Sequence, residues 1–261
     1  MSKMEHELKI DMRRKRILEL LAQDGQVKVT QLSELFHTSP VTIRSDLASL
    51  EKDGYLRRVT GGAVQTVRNF FTMDAQQRKH YNLEAKTEIA RAAAELIQDG
   101  DTLMINSGTT TLYTAMELKK RNSLNIVTNS MAVAVELAGC PTFRVILLGG
   151  EVNAQYSFSY GNTALEQLGQ YKADKAILSI DGIHTQAGIT TYHAEESAIC
   201  RMMMERSHKT IITADFSKFG FEGFSKISNL QNADYYVTNK DADPETVSFI
   251  QKLGKAVIFA S

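Results

Sequence analysis

The hydrophobic pattern changes character along this chain. Up to about residue 68, apolar positions form short helical clusters; beyond about residue 84, short apolar runs alternate with amphipathic stretches. In 12–23, Ile17, Leu18, Leu20 and Leu21 fall at roughly helical spacing, and Asp24-Gly25 ends the helix. Val27 and Val29 suggest a brief strand. Thr30 is placed to cap a second helix carrying Leu32, Leu35 and Phe36. His37-Thr38 makes a turn, Ser39 is a good N-cap, and Pro40 fits the first helical position, where its missing N–H costs nothing. A third helix runs from 41 to about 53, with Gly54 suited to the left-handed position after it. Residues 55–67 read as two strands around Gly61-Gly62.

Residues 68–83 have no clean period and read as a linker, although Phe70 and Phe71 are expected to pack on something. Strands are then expected at about 102–106, 125–128, 143–148, 175–180, 209–214, 234–238 and 256–260. Helices are expected at 84–97, 109–120, 131–138, 162–169, 194–207 and 244–252. Such alternation predicts a mostly parallel α/β sheet. The expected organisation is therefore α/β with a small helical module in front: a winged helix-turn-helix over 1–68, a linker over 69–83 and an α/β domain over 84–261.

Composition adds boundaries to this picture. At 261 residues the chain is long enough for two domains, and 43% hydrophobic with 23% charged residues is ordinary for a globular protein. No uncharged apolar run reaches about 18 residues, so no membrane span is expected. The charged segment MSKMEHELKIDMRRKR has no signal-peptide apolar core, which makes the cytosol the expected location. Cys140 and Cys200 lie in no CxxC or Cys/His cluster, so neither a metal nor a cofactor is implied, and two buried, reduced thiols are expected. Residues 1–68 hold 12 Lys/Arg against 9 Asp/Glu, and residues 69–261 hold 18 against 21. That mild asymmetry permits a nucleic-acid-binding N-terminus.

At about 100° per residue, Ile43, Leu47 and Leu50 share one face of the third helix. Val41, Ser45 and Ala48 point the opposite way, flanked by Thr42 and Arg44. A recognition helix needs this split, with one face glued down and the other entering the major groove of double-stranded DNA. Ser39, Val41, Thr42, Arg44 and Ser45 are the candidate DNA-reading residues, and Arg57 and Arg58 in the hairpin suit the flanking backbone. The competing reading is a protein-binding helical module with solvated arginines. The stretch SPVTIRSDLASLEKDGYLRRVTGGAV closely resembles the N-terminal winged helix of the DeoR family of bacterial transcription regulators, most characteristically in its TIR-x-DL core and the Gly-Gly after the wing. The family usually carries a second basic residue where this chain has Ser45.

A second motif lies at 105–111, where an apolar strand runs into Ser107-Gly108-Thr109-Thr110-Thr111 and a helix. Backbone N–H groups, hydroxyls and the positive helix end suit a phosphate. The loop is neither a Walker A nor a GxGxxG motif, so a nucleotide is not indicated, and the bland alternative is a simple helix cap. Ligands of open α/β sheets sit at the C-terminal strand ends. Those ends carry Thr128-Asn129-Ser130, Gly149-Gly150, Asp181-Gly182 and the stretch with Lys218; Glu195-Glu196 open the 194–207 helix, and the bland alternative is that they only complement its dipole.

SGTTT, VTNS, LLGGEV, Asp181-Gly182, AEESAICRMM and ADFSKFG resemble the C-terminal sensor domain of the same family, which is similar in fold to sugar-phosphate isomerases. The resemblance implies a phosphorylated sugar as effector, with Ser107, Gly108, Thr109 and Thr110 on the phosphate and Asn129, Asp181, Glu196 and Lys218 around the sugar. It also implies a homo-oligomer, dimer or tetramer, that represses carbohydrate-metabolism genes without catalytic residues. The alternative is an isomerase-like enzyme fused to a DNA-binding module. Two departures stand out: Asn106 replaces a common Asp, and Glu196 to Arg201 replace a common EAEVKR, keeping one acid and dropping its partner. Both are expected to tune the sugar. Tyr192 and His193 beside Glu196 are further candidates, His193 more as a loop histidine than a catalytic one.

Overall fold

A computed structural model describes residues 3–52, 55–65 and 75–261. Gly54, Phe70 and Phe71 lie outside the described residues, as does the end of the second wing strand beyond Gln65. The chain divides into two compact units, Met1–Asn82 and Leu83–Ser261.

The first unit contains α1 (Lys3–Asp24), β1 (Gln26–Lys28), α2 (Val29–Leu35), α3 (Pro40–Lys52), β2 (Leu56–Val59), β3 (Gly62–Gln65) and α4 (Ala75–His80). Ile17, Leu21, Leu32, Ile43, Leu47 and Leu50 bury themselves in one cluster, so the helical periodicity translates directly into the core of the unit. The three strands form an antiparallel sheet in the order β1-β3-β2.

Three local expectations need correction. Thr30 caps nothing: α2 begins at Val29 after Lys28, with no side-chain cap, and the Val29 N–H donates instead to Gly61 O at 2.8 Å. The wing turn thus supplies an acceptor for the first N–H of α2. Gly62 is not a turn residue but the first residue of β3, paired with both Val59 and Lys28. A Cβ there would sit 2.0 Å from Val27 O, so glycine is required by the close approach of β1. Finally, residues 75–80 of the expected linker are helical and Tyr81 is buried, its hydroxyl donating to Gly25 O at 3.3 Å.

The second unit contains α5 (Leu83–Glu95), β4 (Thr102–Ile105), α6 (Thr109–Leu118), β5 (Asn125–Thr128), α7 (Met131–Ala138), β6 (Arg144–Leu147), β7 (Glu151–Asn153), β8 (Phe158–Tyr160), α8 (Asn162–Leu168), β9 (Ala173–Ser179), β10 (Gly182–His184), β11 (Gly188–Thr191), α9 (Ala194–Glu205), β12 (Ser207–Thr213), β13 (Ser225–Ser228), β14 (Tyr235–Thr238), α10 (Pro244–Lys252) and β15 (Ala256–Phe259). Seven strands form the central sheet in the order β15-β14-β12-β9-β4-β5-β6, and every pairing in it is parallel. These are the seven strands expected from the apolar runs, and the helices between them fall where the periodicity placed them. Two hydrophobic clusters use the sheet, one including Leu103, Ile105 and Ile126, the other Met104, Ala176 and Leu178. Alternate residues of β4 therefore serve opposite faces of the sheet. Two small elements were not expected: the β7-β8 hairpin and a three-stranded sheet β10-β11-β13.

Candidate functional site

In the first unit, Ser39 accepts the Thr42 N–H at 3.1 Å and pairs with the Thr42 hydroxyl at 2.9 Å, fixing the start of α3. Such a cap contributes about 1 kcal/mol. His37 adopts a positive φ of 48° in the preceding turn, and Ser33 Oγ donates to Thr38 O at 2.5 Å to close it. Ile43, Leu47 and Leu50 are buried, while Val41, Arg44 and Ser45 are exposed and Thr42 is half-buried. The face expected to read DNA is thus the exposed one.

Asp46 was missed by sequence reasoning. It is 3% exposed and receives Arg13 Nε at 2.6 Å and Arg14 Nε at 3.2 Å, so two arginines of α1 converge on one carboxylate of α3. A buried carboxylate held this way sets the rotation of α3 against α1. In the wing, Arg57 and Arg58 are exposed. The Arg58 N–H and Nε both donate to Glu51, at 2.8 and 2.7 Å, which ties the wing to the end of α3 and commits part of that guanidinium.

In the second unit the strand ends converge on the loop after β4. Gly108 is the N-cap of α6 and offers no side-chain cap to the first helical N–H groups. Of the helices that follow, α7 is capped by Ser130 Oγ and α10 by Asp243, whereas α8 after Gly161 and α9 after His193 have no side-chain cap either. A Cβ on Gly108 would lie 2.5 Å from the Ser179 Cβ, so only glycine lets the loop pass β9. Ser107 and Thr110 are buried, and Gly108 and Thr109 are partly exposed. The Ser107 hydroxyl donates to Glu196 Oε1 at 2.5 Å, joining this loop to the first turn of α9. Glu196 is buried while Glu195 is exposed, so only Glu195 fits a purely helix-dipole role.

Several of the expected effector residues are tied by hydrogen bonds within the fold. Asn129 is fully buried: its Oδ1 accepts the Ser107 N–H at 3.1 Å and its Nδ2 donates to Ser159 O at 3.1 Å. Thr128 donates to Ile105 O and accepts the Ser130 N–H, and Ser130 caps α7. Asn106 is fully buried too. Its amide accepts the Ser179 N–H at 2.8 Å, donates to Ser179 O at 2.8 Å and reaches Cys200 Sγ at 3.2 Å. An aspartate could accept that N–H but could not donate to the carbonyl, so Asn106 acts as a backbone clamp between β4 and β9.

Gly149 and Gly150 are exposed in the turn into β7. Gly149 N–H donates to Gln167, and a Cβ on Gly150 would meet Tyr160 O at 2.4 Å. Gly182 is buried where a Cβ would lie 2.6 Å from Phe221 O, a packing role. Asp181 is half-buried; its Oδ2 accepts the Thr191 hydroxyl at 2.8 Å and the Tyr192 N–H at 2.9 Å.

The ends of β12 and β14 add a charged floor. Lys218 is 8% exposed and Asp215 is 1% exposed. Burial pushes the Asp215 carboxyl up, but the charges of Lys218 and Lys86 and the hydrogen bonds from Ser217 outweigh it, leaving the group below its ordinary range. Lys86, 1% exposed on α5, was missed. Its signal was present: it shares the buried stripe of α5 with Ile89, Ala90 and Ala93, a place a solvated lysine would not take. Thr238 Oγ1 and Asn239 Oδ1 at the end of β14 are buried without a hydrogen-bond partner, while Asn239 Nδ2 donates to Ala85 O and Glu88.

Cys200, fully buried behind Glu196, is pushed up by burial and by the Glu196 charge; the Asn106 amide pulls the other way but does not prevail.

Comparisons with known proteins place this geometry. Residues 13–68 match the DeoR-like helix-turn-helix domain, and residues 81–240 match the DeoR C terminal sensor domain. The chain is 34% identical to the glycerol-3-phosphate regulon repressor of Escherichia coli (strain K12), over 91% of this chain and 92% of that protein. It is 31% identical to the HTH-type transcriptional repressor GlcR of Bacillus subtilis (strain 168), over 86% of each. A ribose 5-phosphate isomerase A from Methanocaldococcus jannaschii aligns at 14% identity and a TM-score of 0.39, covering 52% of this chain and 54% of that one. Among the described residues no helix is long and apolar enough to cross a membrane. With both of its parts matched, and relatives named as transcriptional repressors over most of its length, this chain belongs to the DeoR family of transcriptional regulators.

Proposed function

We propose that this chain represses carbohydrate-metabolism genes and leaves its operator when a phosphorylated sugar occupies the second unit. The DNA-reading part is 1–68, the effector and oligomerisation part is 84–261, and 69–83 joins them. Val41, Thr42, Arg44 and Ser45 enter the major groove, with Arg57 and Arg58 on the flanking phosphates. Ser39 and Asp46 position them. The protein acts as a dimer or tetramer on paired half-sites.

The observation that carries the effector reading is the start of α6. Its N-cap is Gly108, which leaves the first helical N–H groups without a side-chain cap at the sheet edge where buried Lys218 also lies. An anion satisfies those donors and the positive helix end together. Asp181, Glu196 and Lys218 supply hydrogen-bonding and charged groups for the rest of the ligand. Binding releases DNA only if the ligand favours the state that holds DNA poorly; tight binding to both states shifts nothing.

Replacing Thr109 and Thr110 together by alanine tests this. The variant is expected to hold operator DNA but resist release by the sugar phosphate. A variant released at the normal concentration overturns the cradle assignment. The protein binds its sugar phosphate without converting it; isomerisation of ribose 5-phosphate or an amino-sugar phosphate by the full chain would favour the enzyme reading.

A further inference from the structure

Beside the anion loop runs a row of aromatic rings that the effector reading does not yet use. Phe224 is 82% exposed and Tyr192 43% exposed, with ring centroids 6.4 Å apart. Tyr192 meets the ring of His193 at 5.3 Å, and His193 packs on Tyr156 at 4.5 Å and on Phe158 at 6.1 Å. The row therefore runs from the loop before β13, across the N-terminus of α9, to the β7-β8 hairpin.

This row is wired to the anion loop by side chains. Ser107 donates to Glu196 Oε1 at 2.5 Å, and Thr191 stands 3.5 Å from Glu196 Oε2 and donates to Asp181 Oδ2 at 2.8 Å. The same Asp181 oxygen receives the Tyr192 N–H at 2.9 Å. The Phe224 loop is fixed as well, because the neighbouring Gly223 N–H donates to Thr190 Oγ1 at 2.8 Å. Tyr192 and Phe224 thus sit on anchored backbone while their rings stay open to solvent. Exposed aromatic faces next to converging polar groups are what a ligand with one apolar face needs.

We infer that Tyr192 and Phe224 form a stacking wall that selects ring-closed six-carbon sugar phosphates over short open-chain phosphates. This rests on the effector reading above and narrows its ligand class. A closed sugar ring presents C–H bonds on one face and hydroxyls at its edge. The hydroxyls suit Asp181 and Glu196, the C–H face suits the two rings, and the ester phosphate lies at the start of α6. A three-carbon phosphate satisfies the anion loop but has no flat face to lay on the wall.

The test measures affinities of the full chain by calorimetry for glucose, galactose and fructose 6-phosphates, for glycerol 3-phosphate and for inorganic phosphate. Wild type is expected to bind its best hexose phosphate about tenfold or more tighter than glycerol 3-phosphate, the order of effect that burying one ring face gives. Phe224→Ala and Tyr192→Ala are expected to shrink that ratio severalfold, and Phe224→Tyr to restore it. Equal affinity of wild type for the two classes overturns the wall, as does an unchanged ratio in both alanine variants. A Phe224→Ala protein that keeps the ratio but changes its mass in solution assigns that ring to a subunit contact and also overturns it. Absence of binding by every phosphate, inorganic phosphate included, sinks the effector site itself, a separate outcome.

Discussion

The Ser107 hydroxyl donates to Glu196 Oε1 at 2.5 Å, across 89 residues of sequence. That bond brings the loop after β4 and the start of α9 together at one sheet edge. It also spends the serine proton on a carboxylate, so in the proposed site a phosphate would draw its donors from the backbone and the Thr109 and Thr110 hydroxyls at the start of α6. Glu196→Gln keeps the shape but loses the ionised acceptor. Its affinity for the sugar phosphate is expected to fall about tenfold, the cost of weakening a charge-assisted hydrogen bond. Calorimetry checks this, and unchanged affinity would detach Glu196 from the site.

Gly108→Ala attacks the loop directly. The added methyl meets the Ser179 side chain at 2.5 Å, against backbone that the Asn106 clamp holds on both sides. The variant is expected to bind operator like wild type while requiring at least about tenfold more sugar phosphate for release. Operator titration by fluorescence anisotropy reads both quantities at once.

Asp46→Asn tests whether α3 is aimed by α1. Asparagine keeps the size but removes the charge that Arg13 and Arg14 share. Operator affinity is expected to drop about tenfold or more, and stability of the first unit by about 3 kcal/mol, since the arginines lose their buried partner. Arg44→Ala is expected to lose operator affinity with stability intact. Equal stability losses in both variants would contradict the division between positioning and reading.

Asp215 carries a pH dependence. Its folded carboxyl lies below the ordinary range, so its contribution to stability is complete above the unfolded pKa and is lost as pH falls through the folded one. Asp215→Asn is expected to cost about 3 kcal/mol near neutral pH. The gap in urea midpoint between the two proteins closes on acidification below the usual carboxylate range. A constant gap across that window would show that packing, not charge, explains the loss.

The two thiols should differ sharply. Cys200 is fully buried and pushed up by burial and the Glu196 charge, whereas Cys140 is half-buried. Because the thiolate is the reactive form, a disulfide reagent should titrate Cys140 first and reach Cys200 only on unfolding. Fast reaction of two thiols in the native protein would contradict this.

The parts of the molecule legible in sequence are those where a local pattern decides the outcome. Short apolar runs gave away the seven strands because a parallel sheet buries both faces, and the split between Ile43-Leu47-Leu50 and Val41-Arg44-Ser45 gave away which face of α3 is buried and which is exposed. The β7-β8 hairpin and the β10-β11-β13 sheet escaped because their strands are three or four residues of mixed polarity. Side-chain roles escaped wherever the partner is a distant backbone atom. Asn129, Thr128 and Asn106 look like ligand groups in sequence, yet Ser159, Ile105 and Ser179 claim them. Asp46 and Lys86 look solvated as letters; only their place on buried helix stripes marks them, and that marker was readable.

The most direct test of the account is release of operator DNA. Duplexes selected by the full chain from a random pool serve as operator, and their affinity is measured while phosphorylated sugars, and the same sugars without phosphate, are titrated in. The account predicts that at least one phosphate ester weakens binding about tenfold or more while its free sugar leaves it unchanged, a coupling of the usual allosteric size. Release by the free sugar at the same concentration, or by no phosphate ester, would contradict it.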